Sequence, residues 1–319
     1  QNLIYAMLTL PSNMFYTVTL PATLWFFDKA KKDDRILFID ARNIFTQIDR
    51  AHREFSEEHI QNIAVISHLH NGQRDKFIRL IDHYFAAGME RLIENNEKIE
   101  PVCAQLLDVL DDANGKHAVD ELLQHWRELE KLQTHYAQYR KEYVIAAEID
   151  KKNQTQRQLR SAFDPFFAAL HEGLKRLDKT VRQHEKQQTE QAQQEGKRTA
   201  TDRKTKALRS ALEELHQDVK NAEIYFQHIH WLQERFPNAQ YEDVTGLCKL
   251  ATPEEIKEQD YSLNAGRYVG VVIEEDGKTE EEFIAELLVM NDELTSLNDE
   301  ARKLETIIFN NIEQITGDA

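Results

Sequence analysis

Hydrophobic and polar positions divide the chain into a short opening part, a long middle and a short closing part. Three brief apolar runs come first. Residues 4–10 are closed by Pro11-Ser12-Asn13, residues 22–27 follow Pro21, and residues 36–40 follow the charged turn 31–35. Each run is partly aromatic or β-branched and is bounded by turn residues, which predicts three strands. Their nearly continuous apolar character suits strands covered on both faces. The tight charged turn predicts that the second and third strands form an antiparallel pair.

After Arg42 the period changes. Ser56-Glu57-Glu58-His59 has the N-cap and acidic first turn of a helix that runs on through Ile60, Ile63 and Ala64. Apolar stripes at steps of three and four then predict helix almost without interruption to Phe236. One stripe is Phe77, Ile81, Tyr84, Phe85 and Met89; another is Leu122, Trp126, Leu129, Leu132, Tyr136, Tyr139 and Tyr143. Asp164-Pro165 predicts a new helix start, with Asp as cap and Pro in the first position. From there run Phe163, Phe167, Leu170, Leu174, Leu177 and Val181. The polar stretch 187–203 has no stripe and reads as a flexible connection or a solvated helix tip. Beyond it, Leu208, Leu212, Leu215, Val219, Ala222, Phe226, Ile229, Leu232 and Phe236 resume the rhythm. The two stripes on either side of a polar link predict an antiparallel helical hairpin.

The closing part has an apolar patch at 247–250, a short Pro-started helix at Thr252-Pro253-Glu254-Glu255-Ile256, and a strand-like run at 268–272. Its last helix is the most regular pattern in the chain. Phe283, Leu287, Met290, Leu294, Leu297, Ala301, Leu304, Ile308, Asn311 and Ile315 alternate steps of four and three, a period of 3.5 that predicts coiled-coil packing. Each such side chain contributes about 1.5–3 kcal/mol when buried. The seam is therefore expected to be covered, either by the 208–236 helix or by a partner's helix.

Composition agrees with a mainly α fold carrying a small β part. Only 10 Gly and 6 Pro occur in 319 residues. No stretch approaches the roughly 18 apolar residues that span a membrane. Two isolated cysteines, Cys103 and Cys248, fit a reducing, cytoplasmic setting. The formal charge of −16 argues against extensive DNA binding by the chain's own surface; it fits docking to a more basic partner and, equally, ordinary acidic solubility.

Three stretches carry a resemblance. Residues 10–27, with Leu10-Pro11-Ser12-Asn13-Met14-Phe15-Tyr16 and Leu24-Trp25-Phe26, resemble the L-P-[ST]-x-[LM]-F-[FY] segment of the modification subunits of type I restriction–modification systems. Ile36-Leu37-Phe38-Ile39-Asp40-Ala41-Arg42 resembles that family's following strand. Asp260-Tyr261-Ser262-Leu263-Asn264-Ala265-Gly266-Arg267-Tyr268-Val269 is similar to its D-Y-x-L-N-P-G-R-Y-V, with Ala265 in place of Pro. The three occur in family order and cover 35 residues, too many and too ordered for a chance motif match.

The resemblance implies a DNA adenine-N6 methyltransferase that uses S-adenosylmethionine. In that family the cofactor glycines and the Asn-Pro-Pro-Phe tetrapeptide precede the first matching stretch. This chain contains no Pro-Pro and no Gly-x-Gly. It is thus expected to be a C-terminal fragment that holds no catalytic residue, binds no cofactor alone and is inactive alone. Residues 1–55 would be the last strands of a Rossmann-like methyltransferase sheet, 56–240 a helical insertion, and 241–319 a strand/loop element with the seam helix. Phe15, and less so Tyr16, would contact the flipped target base, although Phe15 could instead fill the core under the sheet. Phe283, Leu287, Met290, Leu294, Leu297, Leu304 and Ile308 would meet a partner. The implied partners are the specificity and restriction subunits, with DNA reached mainly through the complex.

Other signals are weaker. His68/His70 and His228/His230 sit two apart, which on a helix separates the rings, so no metal is expected. Arg267 could reach a phosphate or pin its own loop. The basic run around 197–206 reads as a solvated link. The competing function is a stand-alone helical scaffold, which would have little need of three opening strands.

Overall fold

The computed structural model describes residues 3–110, 112–194 and 203–271, with further helical positions between 290 and 309. The chain divides into two compact units, Gln1–Gly270 and Val271–Ala319.

In the first unit, β1 (Ile4–Thr9), β2 (Thr23–Phe27) and β3 (Ile36–Asp40) form where the apolar runs predict. The sheet order is β2, β1, β3 and then β6 (Cys248–Ala251). β2 runs antiparallel to β1, β3 parallel to β1, and β6 antiparallel to β3. The expected β2–β3 pair is thus corrected: the two strands run in opposite directions, but β1 lies between them. β1 offers pairing on both edges, and residues 28–35 carry the chain past it. The 268–272 run is corrected as well. Tyr268 ends a 3-10 turn (Ala265–Arg267), and the strand of this region is β6, formed from the 247–250 patch.

β1 and β3 are buried on both faces. Ala6, Leu8, Leu37 and Ile39 join the main core, whereas Met7 and Phe38 face a smaller cluster with Ala251, Ile256, Tyr268 and Val269. Alternation along a strand sends successive side chains to opposite layers, so a continuous apolar run is what two covered faces require. β2 departs from this expectation. It is an edge strand, and Leu24, Trp25, Phe26 and Phe27 are all exposed.

Five long or medium helices follow: α1 (Glu57–His70), α2 (Arg74–Val109), α3 (Ala113–Ile145), α4 (Ile149–Gln194) and α5 (Arg203–Arg235). Ser56 caps α1 as expected, and His59 at its third position accepts a hydrogen bond from the Ser56 amide through Nδ1. α2 to α5 form an antiparallel four-helix bundle. Phe77 meets Phe236 and Asn95 meets the Asp218 carbonyl, so α2 and α5 run oppositely. Trp126 meets Phe166 and Arg176 meets Glu121, so α3 and α4 do too. Phe163 stacks on Phe226 at 4.2 Å across α4 and α5. Every member of the 208–236 stripe is buried.

Pro165 lies within α4 and does not start a helix. A proline in a helix interior costs about 3 kcal/mol. Phe163, Phe166 and Phe167 are all buried around it, each contributing about 1.5–3 kcal/mol, and together they keep the helix continuous. α6 (Pro253–Glu258) has the expected cap, with Thr252 and Glu255 bonding reciprocally. Among the described residues no helix is long and apolar enough to cross a membrane.

In the second unit the described residues from Met290 on are helical, and Met290, Leu294, Leu297, Leu304 and Ile308 are exposed. Phe283 and Leu287 lie outside the described residues.

Candidate functional site

Leu10 continues the β1–β2 ladder by donating to the Ala22 carbonyl at 2.8 Å. The intervening residues 11–21 therefore leave the sheet and return to the same place. Asn13 takes the left-handed conformation (φ 60°), which a short polar side chain tolerates better than most. Phe15 and Val18 form an isolated bridge, with the Val18 amide donating to the Phe15 carbonyl at 3.1 Å. This sets Tyr16-Thr17 at the tip of a tight turn. Phe15 is 49% exposed and Tyr16 91% exposed, so neither fills the core under the sheet.

A second small element holds this loop. β4 (Thr46–Gln47) and β5 (Arg53–Glu54) pair as a two-stranded hairpin. The Arg53 amide donates to the Asn13 carbonyl at 3.0 Å, and its guanidinium donates to Ser12 Oγ at 2.9 Å and Gln47 Oε1 at 3.0 Å. The same guanidinium lies 4.0 Å over the Phe45 ring. The His52 ring sits 4.6 Å from that of Tyr16. Asp49 pairs with His52 at 2.7 Å, and its carboxyl is held below the usual range by hydrogen bonds from the Ala51 amide and that ring. Sequence reasoning missed this hairpin, because two-residue strands carry no periodic signal. Only the Asp49-Arg50 turn between polar flanks could have marked it.

On the far side of the sheet, two segments distant in sequence come together. Asp40, buried at the end of β3, takes a two-pronged ion pair from Arg42, at 2.9 and 2.6 Å. A Cβ at position 266 would lie 2.8 Å from Arg42 Nη2, so Gly266 leaves room for the guanidinium against the 264–267 turn. Tyr268 stacks on Phe38 at 4.0 Å, and its hydroxyl donates to the Ser262 carbonyl. The residue that packs on this loop is Arg42, while Arg267 is exposed. Two of the three resembling stretches, 36–42 and 260–269, are thus in contact.

The remaining candidates scatter. His70 packs edge-on to Tyr241, and His68 is only partly buried. His228 is buried and bonded to Asn62 at 3.0 Å, whereas His230 is exposed beside Glu234. Burial pushes the Cys103 and Cys248 thiols up to about 11 and about 12, which suits packing and not nucleophilic attack. Among the described residues no three His, Cys, Asp or Glu side chains gather as a metal would need.

A model of the N-6 DNA Methylase family matches residues 1–101 and 193–277, more than half of the chain. The chain belongs to the N-6 DNA Methylase family. The match takes in the sheet, the 11–21 loop, the β4–β5 hairpin, α5 and the Arg42–Gly266 contact; it omits 102–192, which contains α3 and most of α4. This member of the N-6 DNA methylases is 41% identical over 66 residues to the type I restriction enzyme MjaIX methylase subunit of Methanocaldococcus jannaschii. That alignment covers 20% of this chain and 12% of the relative. It is 38% identical over 68 residues to the type I restriction enzyme HindI methylase subunit of Haemophilus influenzae, covering 21% of this chain and 15% of the relative. The chain thus aligns with well under a fifth of either relative's length. No solved structure matches it.

Proposed function

We propose that this chain is the C-terminal part of the modification subunit of a type I restriction–modification enzyme, which methylates adenine N6 in DNA. The observation that carries the reading is the 11–21 loop of this N-6 DNA methylase. It presents Phe15 half-exposed and Tyr16 fully exposed, on a turn pinned from both sides. An enzyme that modifies a base must draw it out of the stack, and an aromatic face replaces the lost stacking. Phe15 is the proposed platform and Tyr16 its neighbour.

The sheet would be the last strands of a Rossmann-like methyltransferase sheet, with 56–240 a helical insertion and 241–319 the closing element. Support comes from β2. Among the described residues its outer edge is unpaired, and its apolar side chains are exposed beside a cleft of about 420 Å³ lined by Tyr5, Met14, Leu24, Phe26, Phe55 and Ile60. Such an edge suits coverage by a further strand and its helix. S-adenosylmethionine would bind upstream residues of the whole subunit, where it supplies the methyl group. The helix carrying Phe283, Leu287, Met290, Leu294, Leu297, Leu304 and Ile308 would dock the specificity subunit, within a cytoplasmic complex that also engages the restriction subunit.

The test is methyl transfer from labelled S-adenosylmethionine to DNA. The whole subunit with its specificity partner should label adenine, and residues 1–319 alone should give none. Labelling by the chain alone, or of cytosine by the complex, would refute the reading.

A further inference from the structure

The chain carries 40 Lys and Arg against 56 Asp and Glu, yet some cations make no ion pair among the described residues. Two such cations lie in the hairpin beside the 11–21 loop. Among the described residues Arg53 has only neutral partners: Ser12, Gln47, the Asn13 carbonyl and the Phe45 ring. Arg50, at the tip between β4 and β5, is exposed and has no partner among the described residues. The nearby Asp49 is taken by His52 and the Ala51 amide. The Gln47 amide donates to the Asp49 and His52 carbonyls and so closes the turn that carries Arg50. Tyr16 rests on His52 from the other side. A hydrogen-bonded turn whose Arg50 makes no ion pair among the described residues therefore abuts a loop tip bearing two exposed aromatic rings. Aromatic faces for bases beside cations for the backbone are the two requirements for holding a displaced nucleotide.

We propose that the β4–β5 hairpin is a DNA-backbone contact in which Arg50 takes a phosphate next to the target nucleotide and Arg53 positions the Phe15 loop beside it. This rests on the reading that Phe15 receives the target base. Arg50 is the phosphate ligand. Arg53 is a positioning residue, since its donors are already committed to the loop and to Gln47.

The experiment uses the intact modification complex and a duplex carrying the adenine it methylates, together with the same duplex bearing 2-aminopurine at that position. Affinity is measured across a salt series, and base extrusion by 2-aminopurine fluorescence at saturating protein. Arg50→Gln should weaken binding and lower the slope of log K against log salt by about 0.9, the value for one phosphate contact, while the fluorescence rise at saturation stays at the parental level. Arg53→Lys keeps the charge but not the forked bonds; it should preserve the slope and reduce the fluorescence rise. Phe15→Ala should also reduce the rise and leave the slope alone. An Arg50→Gln complex with parental affinity and slope overturns the phosphate contact, and an Arg53→Lys complex with a parental rise overturns the positioning role. A Phe15→Ala complex with a parental rise would instead refute the base-platform reading, a separate failure that leaves the Arg50 slope measurement intact.

Discussion

Phe15 and Tyr16 are adjacent, yet the loop treats them differently. Phe15 closes a bridge to Val18 and keeps half its surface, whereas Tyr16 stands outside against His52. Base–aromatic stacking is worth about 1–3 kcal/mol. Phe15→Ala in the whole subunit should therefore slow single-turnover methyl transfer by roughly five- to a hundredfold, and Tyr16→Ala should cost less. A second residue-scale prediction concerns His228. Asn62 takes the Tyr84 hydroxyl on its oxygen and turns its amide toward His228 Nδ1. Burial first, then His59, holds His228 down to about 4. An unfolded chain binds a proton there near pH 6.5, while the folded chain keeps the ring neutral. Stability should thus fall as pH drops from about 6.5 toward 4 and lose nothing further from this group below that. The loss is about 1–3 kcal/mol, and urea unfolding of His228→Gln should show a flatter pH profile. The loop residues were legible in sequence through the resemblance of residues 10–27 to the L-P-[ST]-x-[LM]-F-[FY] segment. The hairpin that fixes them was not, since Arg53 reaches Ser12 only through tertiary contact.

At the scale of elements, periodicity located the helices well because long amphipathic stripes repeat the same requirement many times over. It failed where one strong local residue was outvoted. Pro165 signals a start, but three buried Phe side chains around it carry α4 straight through. Strand pairing failed for a different reason: a turn shows direction but not which strand lies between, and β1 separates β2 from β3. The α2–α5 contact yields a prediction of its own. A Cβ on Gly88 would meet the Phe226 ring at 2.5 Å, and Phe226 is itself held by Phe163 and Phe167. Gly88→Ala should destabilise the chain by about 1–3 kcal/mol despite its gain in helix propensity, read as a lowered urea midpoint. For the last helix, Leu294 and Leu304 are exposed. Leu294→Asp with Leu304→Asp should leave far-UV circular dichroism unchanged and abolish co-purification with the specificity subunit. Undiminished co-purification would remove this helix from the docking surface.

For the molecule as a whole, the family match skips 102–192, and the structure gives that gap a shape. α2 and α5, which the match includes in large part, lie against one another, and α3 with most of α4 forms a second antiparallel pair completing the bundle. A sequence stripe shows that a helix has a buried face but not which neighbour covers it, so this division could not be read from periodicity. The contact of Arg42 with the Gly266 turn was equally hidden, since its halves sit at opposite ends of the first unit.

The partnership of β3 and β6 has a kinetic consequence. Leu37 pairs with Leu250, so the sheet's last strand is synthesised only after the whole bundle between them. Closing a loop of roughly two hundred flexible residues carries a large entropic penalty, which a folded bundle with its ends already near each other would mostly remove. The expected order is that the bundle forms first and β6 docks last, leaving Phe38 without its stacked Tyr268 and the edge of β3 open to other strands until then. Substitutions that slow bundle formation should show themselves first as aggregation through that edge during refolding, before any loss of helix is seen.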